Sequence, residues 1–120
     1  MFLNLSNHAS KNWSEDQRAA AMEYGEIRDF AFPAVDPCAS EAEISSIAER
    51  VVDEVAHLSP DCIMCSGEFT LTYALVNRLK SKVYKVVSAC SERVVKEWTD
   101  ADGNTQKEAT FRFVRFREYQ

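Results

Sequence analysis

The sequence predicts an α/β fold: a Rossmann-like, mostly parallel sheet flanked by helices on both faces, with a C-terminal β-hairpin. Three observations carry this. Short apolar runs alternate with longer amphipathic ones over most of the chain. Two of the amphipathic runs open on a Ser followed three residues later by Gln or Glu, a helix-start pattern. Near the end, two β-rich runs flank Asp100-Ala101-Asp102-Gly103-Asn104, the make-up of a hairpin loop. Alternating β and α segments imply parallel strands joined by right-handed crossovers.

Phe2 to Ser6 reads as the first strand. Ser14 with Gln17 opens a helix that Gly25 stops. Glu26 to Phe32 is the second strand, ended by Pro33. Ser40 with Glu43 opens the next helix, and Ile44, Ile47, Ala48, Val51, Val52 and Val55 give it one apolar stripe up to Pro60. Asp61 to Ser66 is a third strand, apolar without alternation, as a strand buried on both faces must be. Gly67 and Glu68 turn into a helix from Phe69 to about Lys80, and Val83 to Ala89 is the fourth strand. The hairpin pairs Val94–Thr99 with Gln106–Phe113, and the alternation breaks near Val114, which predicts a bulge or strand end there.

At 120 residues the chain is sized for a single domain, 1–120. No window approaches a membrane span, and residues 1–10 lack the basic and apolar regions of a secretory signal, so a cytoplasmic protein is expected. Net charge is −5, but residues 1–76 hold 4 basic and 13 acidic side chains while residues 77–120 hold 10 and 6. Such a balance disfavours coating of duplex nucleic acid yet leaves a basic rim for a small anion. Lys80, Lys82 and Lys85 read as solvated surface. Of the four cysteines, Cys62 and Cys65 have metal-type spacing. On a strand, however, residues three apart point to opposite faces, so both sulfurs cannot reach one ion. No metal and no cofactor are expected, and the thiols read as small core residues.

Open α/β sheets bind ligands at the carboxyl ends of their strands, where the strand order switches. That rule selects Asn7-His8-Ala9-Ser10, Pro33 to Asp36, Ser66-Gly67-Glu68-Phe69-Thr70 and Ser91-Glu92-Arg93. With strands one and three adjacent, His8 and Glu68 are expected to face one crevice. His8 suits acid–base work or a phosphate contact. Gly67 permits close backbone approach, and the amides that open the following helix attract anions. Glu68 could equally serve that helix dipole. Arg93 could grip a phosphate or pair with an acidic neighbour. Phe111, Phe113 and Phe116 read as hairpin packing or a dimer seam, not as a base-stacking platform. GxGxxG, GxxxxGK[ST] and GxSxG are absent, which disfavours dinucleotide, P-loop and serine-hydrolase chemistry.

Leu3-Asn4-Leu5-Ser6-Asn7-His8, the run Gly67 to Val76, Ala89-Cys90-Ser91-Glu92-Arg93 and the run Phe111 to Arg117 resemble small stand-alone CRISPR-associated proteins of type III systems, of the CARF class. Where relatives carry Pro after the His, this chain has Ala9. The resemblance implies a homodimer that cradles one cyclic oligoadenylate, the tetra- or hexa-adenylate with the tetra-adenylate favoured, and a metal-independent ring nuclease that cuts it by 2′-OH attack. It implies His8, Arg93 and Glu68 as the catalytic set. Asn7, Ser10, Ser66, Gly67, Phe69, Thr70 and Ser91 would line the pocket. The alternatives are a non-catalytic module that binds or sequesters the same ligand, and an unrelated Rossmann-like protein such as a flavin carrier.

Overall fold

The computed structural model describes residues 1–120. Five strands, β1 (Phe2–Ser6), β2 (Ile27–Ala31), β3 (Cys62–Ser66), β4 (Val86–Thr99) and β5 (Thr105–Glu118), form one sheet in the order β2-β1-β3-β4-β5. The first four run parallel and β5 is antiparallel to β4. Three helices, α1 (Glu15–Met22), α2 (Glu41–Leu58) and α3 (Phe69–Ser81), make the crossovers. The α/β class, the helices on both faces, the hairpin and the adjacency of the first and third strands all stand.

Capping fixes where each helix begins. Ser14 accepts from the Gln17 N–H and Ser40 from the Glu43 N–H, each satisfying an amide that the first turn leaves free. The two sheet faces then bury different sets. Leu3, Leu5, Ile63, Cys65 and Val86 meet α2 and α3 through Val51, Val55, Leu71, Leu75 and Leu79. Phe2, Cys62, Met64 and Val87 face the other way, with Trp13, Ala21 of α1 and Phe116 of β5. Cys62 and Cys65 therefore do lie on opposite faces.

Two expectations need correction. The fourth strand begins at Val86, because Val83 lies in the turn after α3 with a left-handed backbone (φ 68°). That strand also runs without a break to Thr99, so Ser91, Glu92 and Arg93 lie inside it and not in a loop beyond it. The reason is local: nothing between Ala89 and Val94 breaks a strand, and β5 supplies hydrogen-bond partners along the whole length. The bulge near Val114 is present. Cys90 faces Arg115 and Ser91 faces Phe113, which leaves Val114 as the extra residue.

Because β3 pairs with β4 only at Ile63–Val86 and Met64–Val87, the outer part of the hairpin leaves the body as a two-stranded arm. The radius of gyration is 17.4 Å, against about 14 Å for a compact domain of this length.

Candidate functional site

The polar end of β1 is the foundation of the site. Asn4 and Ser6 alternate with Leu3 and Leu5, so they sit on the α1 side of the sheet, where both are buried. Buried amides must find partners. The Asn4 Nδ2 donates to the His8 carbonyl at 2.8 Å and to Asp29 Oδ1 at 2.9 Å. The Ser6 hydroxyl donates to Asn4 Oδ1 at 2.6 Å and accepts from the His8 N–H at 3.1 Å. Asp29 of β2 also accepts from the Ser10 N–H and hydroxyl. Trp13 Nε1 donates to the same His8 carbonyl at 3.1 Å, and Arg18 of α1 reaches back to the Ser10 carbonyl at 3.0 Å. The loop after β1 is thus held from below, from β2 and from α1, with its His8 side chain left exposed.

Above this loop lies a cleft of about 840 Å³ between the start of α1 and the base of the arm. Asn7, His8, Ala9 and Asn12 form its floor, Trp13, Asp16 and Gln17 its α1 wall, and Ser91, Phe111, Arg112 and Phe113 its arm wall. Met64, Ser66 and Ala89 close the base at the carboxyl ends of β3 and β4. Phe116 supports the arm wall from below: its ring stands 5.0 Å from both Phe2 and Phe113. Arg112 is paired to Glu92.

The structure brings together Asn7, His8, Ser66 and Ser91, and separates the rest. Glu68 caps α3, accepting from Thr70 and Leu71 amides and from the Thr70 hydroxyl. The Leu71 N–H first, then the two Thr70 donors, hold its carboxyl below the usual carboxylate range. Glu68 and Thr70 line a different depression, with Asp36 and Glu41, so His8 and Glu68 do not share a crevice. The cause is geometric: α3 leaves β3 on the face opposite α1 and carries its cap with it. Gly67 is not open to a ligand either. A Cβ there would lie 2.5 Å from the Phe32 ring, so the glycine makes room for core packing. Phe69 is 90% exposed on α3. Ser10 is spent on Asp29. Arg93 is absent from the cleft lining; alternation places it on the side of Ser91, about 7 Å further out along β4.

Among the cleft residues that sequence reasoning missed are Asn12, Trp13, Asp16, Gln17 and Arg112. Trp13 carried a signal, a lone aromatic directly before a helix cap. Arg112 carried none, since its place depends on the register of the hairpin. Phe111 and Phe113 do pack along the hairpin, and they also wall the cleft.

No three His, Cys, Asp or Glu side chains converge as a metal site would require. Burial pushes the Cys62 thiol up to about 11 and the Cys65 thiol to about 12, so both are weak nucleophiles and weak ligands. No helix is long and apolar enough to cross a membrane.

Among known proteins, no curated protein and no solved structure matches the chain. A family model described as the uncharacterized protein MJ1673 family matches residues 1–117. The match takes in the loop after β1, α1 and both strands of the arm, hence every wall of the cleft. The chain belongs to the MJ1673 family.

Proposed function

We propose that the cleft binds a cyclic oligoadenylate, the tetra-adenylate, and that the protein is a ring nuclease acting in the cytoplasm to end type III antiviral signalling. One observation carries the binding part: at the strand-end switch point, a fixed loop presents His8 and Asn7 beside the walls formed by Trp13, Phe111 and Phe113. Amides suit base edges, and aromatic rings suit base stacking. The sequence resemblance supplies the ligand class, and the family description names no activity.

Cleavage needs little chemistry. A ribose 2′-oxygen attacks the adjacent phosphorus and forms the P–O2′ bond while the P–O5′ bond breaks. The 2′-OH proton goes to a base and the leaving 5′-oxygen receives a proton. The products carry a 2′,3′-cyclic phosphate and a 5′-OH. The cleft contributes in-line positioning of these three atoms and one acid–base group, the His8 imidazole. A ring larger than the cleft extends along the arm toward Arg93, which is the cation for the developing phosphorane charge. Such a ring also exceeds what one cleft encloses, which favours two copies around one ligand.

A second reading, binding without cleavage, is favoured by one observation: Glu68 and Arg93 lie outside the cleft, so of the three residues that the resemblance makes catalytic only His8 is there. Incubation with cyclic tri-, tetra- and hexa-adenylate, with EDTA and separately with Mg²⁺, followed by chromatography, decides between them. Linear products lost in His8→Ala support the nuclease. Intact ring co-eluting with protein supports sequestration. Neither cleavage nor binding of any ring defeats both.

A further inference from the structure

The arm asks for a cover that the chain does not supply. Beyond the bulge, residues 91–99 and 105–113 have only each other as sheet partners. A lone two-stranded ribbon is at best marginal in water. This one extends about 30 Å. It also exposes Phe111 (73%), Val114 (56%), Val95 (49%) and Trp98 (47%). Alternation and register put Phe113, Phe111, Val95 and Ala109 on one side. They form an apolar stripe, with Arg93 beside Phe111, that starts at the partly buried Phe116 and runs outward without a partner in the chain.

The charges on the arm say what kind of cover fits. Residues 91–113 hold four basic and five acidic side chains. The register sets Glu92 opposite Arg112, Lys96 opposite Glu108 and Glu97 opposite Lys107. Apart from Arg93, which stands opposite Phe111 at the base of the arm, these charges are matched across the ribbon and leave no positive field to draw a long polyanion. The cover must also accompany every folded molecule, and a second copy of the chain does so. The body offers a matching surface. Phe69 (90% exposed) and Tyr73 (72% exposed) lie one turn apart on α3, at the end of the sheet from which the arm projects.

We propose that the β4–β5 arm clasps a second copy of this chain, its Phe111–Val95 stripe seated on the Phe69–Tyr73 patch of α3 in the other copy. A two-fold axis closes this contact, because each copy then gives one arm and receives one. One ribbon face, about 30 Å by 10 Å, covers only about 300 Å²; giving and receiving together bring this to about 600 Å² per partner, the low end for a specific interface. The clasp deepens the two-copy part of the proposed function and rests on it only there.

The test is the mass in solution, read by sedimentation or light scattering over about 1–100 μM without ligand. The wild-type chain is expected at twice its 13.6 kDa mass. Phe111→Glu, and separately Phe69→Glu with Tyr73→Glu, are each expected at the single-chain mass with unchanged circular dichroism. If Phe111→Glu fails to fold, the helix-surface double variant decides. A wild-type monomer throughout, or a dimer that survives the folded double variant, overturns the clasp. Binding of cyclic tetra-adenylate is scored separately, on the wild-type chain alone. A monomer that binds the ring rejects the clasp and keeps the ligand; a clasped dimer that binds none keeps the clasp and rejects the ligand.

Discussion

Phe113 and Phe116 sit three residues apart on one strand, yet their rings pack on the same side of the sheet with centroids 5.0 Å apart. Strict alternation would place them on opposite sides. Val114, the unpaired residue of the bulge, restores the match and so brings Phe111 and Phe113 to the cleft.

Deleting Val114 should therefore turn every β5 side chain beyond it to the other face. Loss of the Phe113 packing should cost about 2 kcal/mol, and ligand binding at the cleft should disappear. Val114→Gly keeps the register and should retain binding. Urea unfolding and a binding assay on both variants check this.

Gly67→Ala should destabilise by about 1–3 kcal/mol, since overpacking forces neighbours off their rotamers. The added methyl would meet three Phe32 ring atoms at 2.5, 2.5 and 2.6 Å. Combining it with Phe32→Leu should recover part of that loss, and a double-mutant cycle measures the coupling.

Glu68→Ala should lower stability at neutral pH while leaving ligand turnover unchanged, because the carboxylate serves the α3 cap. The sign with pH follows from its lowered pKa. The folded state favours the carboxylate, so the contribution is present above the unfolded value of about 4.3. It is lost as pH falls through the lower folded value. The stability gap between wild type and variant should close on acidification, as urea titrations across pH 2–7 would show.

Asn4→Ala should cost about 1–3 kcal/mol by leaving buried hydrogen-bonding groups unpaired. It should also weaken ligand binding although Asn4 does not line the cleft, because the His8 carbonyl loses one of its anchors. Asn4→Asp should do worse, since it sets a second carboxylate against Asp29. Calorimetric binding and thermal melts separate the two effects.

Val83→Gly should stabilise by about 0.5 kcal/mol or more. The left-handed backbone costs a branched residue about 1–2 kcal/mol, and Gly returns part of this as unfolded-state entropy. Val83 is 91% exposed, so little packing is lost. Chemical denaturation of the variant checks it.

The elements that local chemistry governs were readable in the sequence. Ser14 and Ser40 announce their helices, the branched stripe of α2 announces its buried face, and the broken alternation at Val114 announces the bulge. The site was readable only as far as the strand-end rule reaches, to Asn7, His8 and Ser66; Ser91 lines the cleft from within β4. Which loops meet in space depends on which face each helix takes. Glu68 and His8 both follow strands that lie side by side, but their helices leave in opposite directions. Arg93 was misplaced for a different reason. A strand that continues past the edge of its sheet looks, residue by residue, like a strand followed by a second one.

One face of the sheet carries two helices and the other carries α1 alone, since β4 and β5 are joined by a turn and not by a crossover helix. The cleft lies where a second helix would have packed. A molecule seated there is therefore part of the layer as well as a guest, in contact with Met64, Ala89 and Trp13. Binding that favours the folded chain raises its unfolding free energy by about 2.7 kcal/mol at a hundredfold excess over Kd. The melting temperature thus reads occupancy of the cleft directly, and a panel of nucleotides can be sorted by it before any turnover is sought.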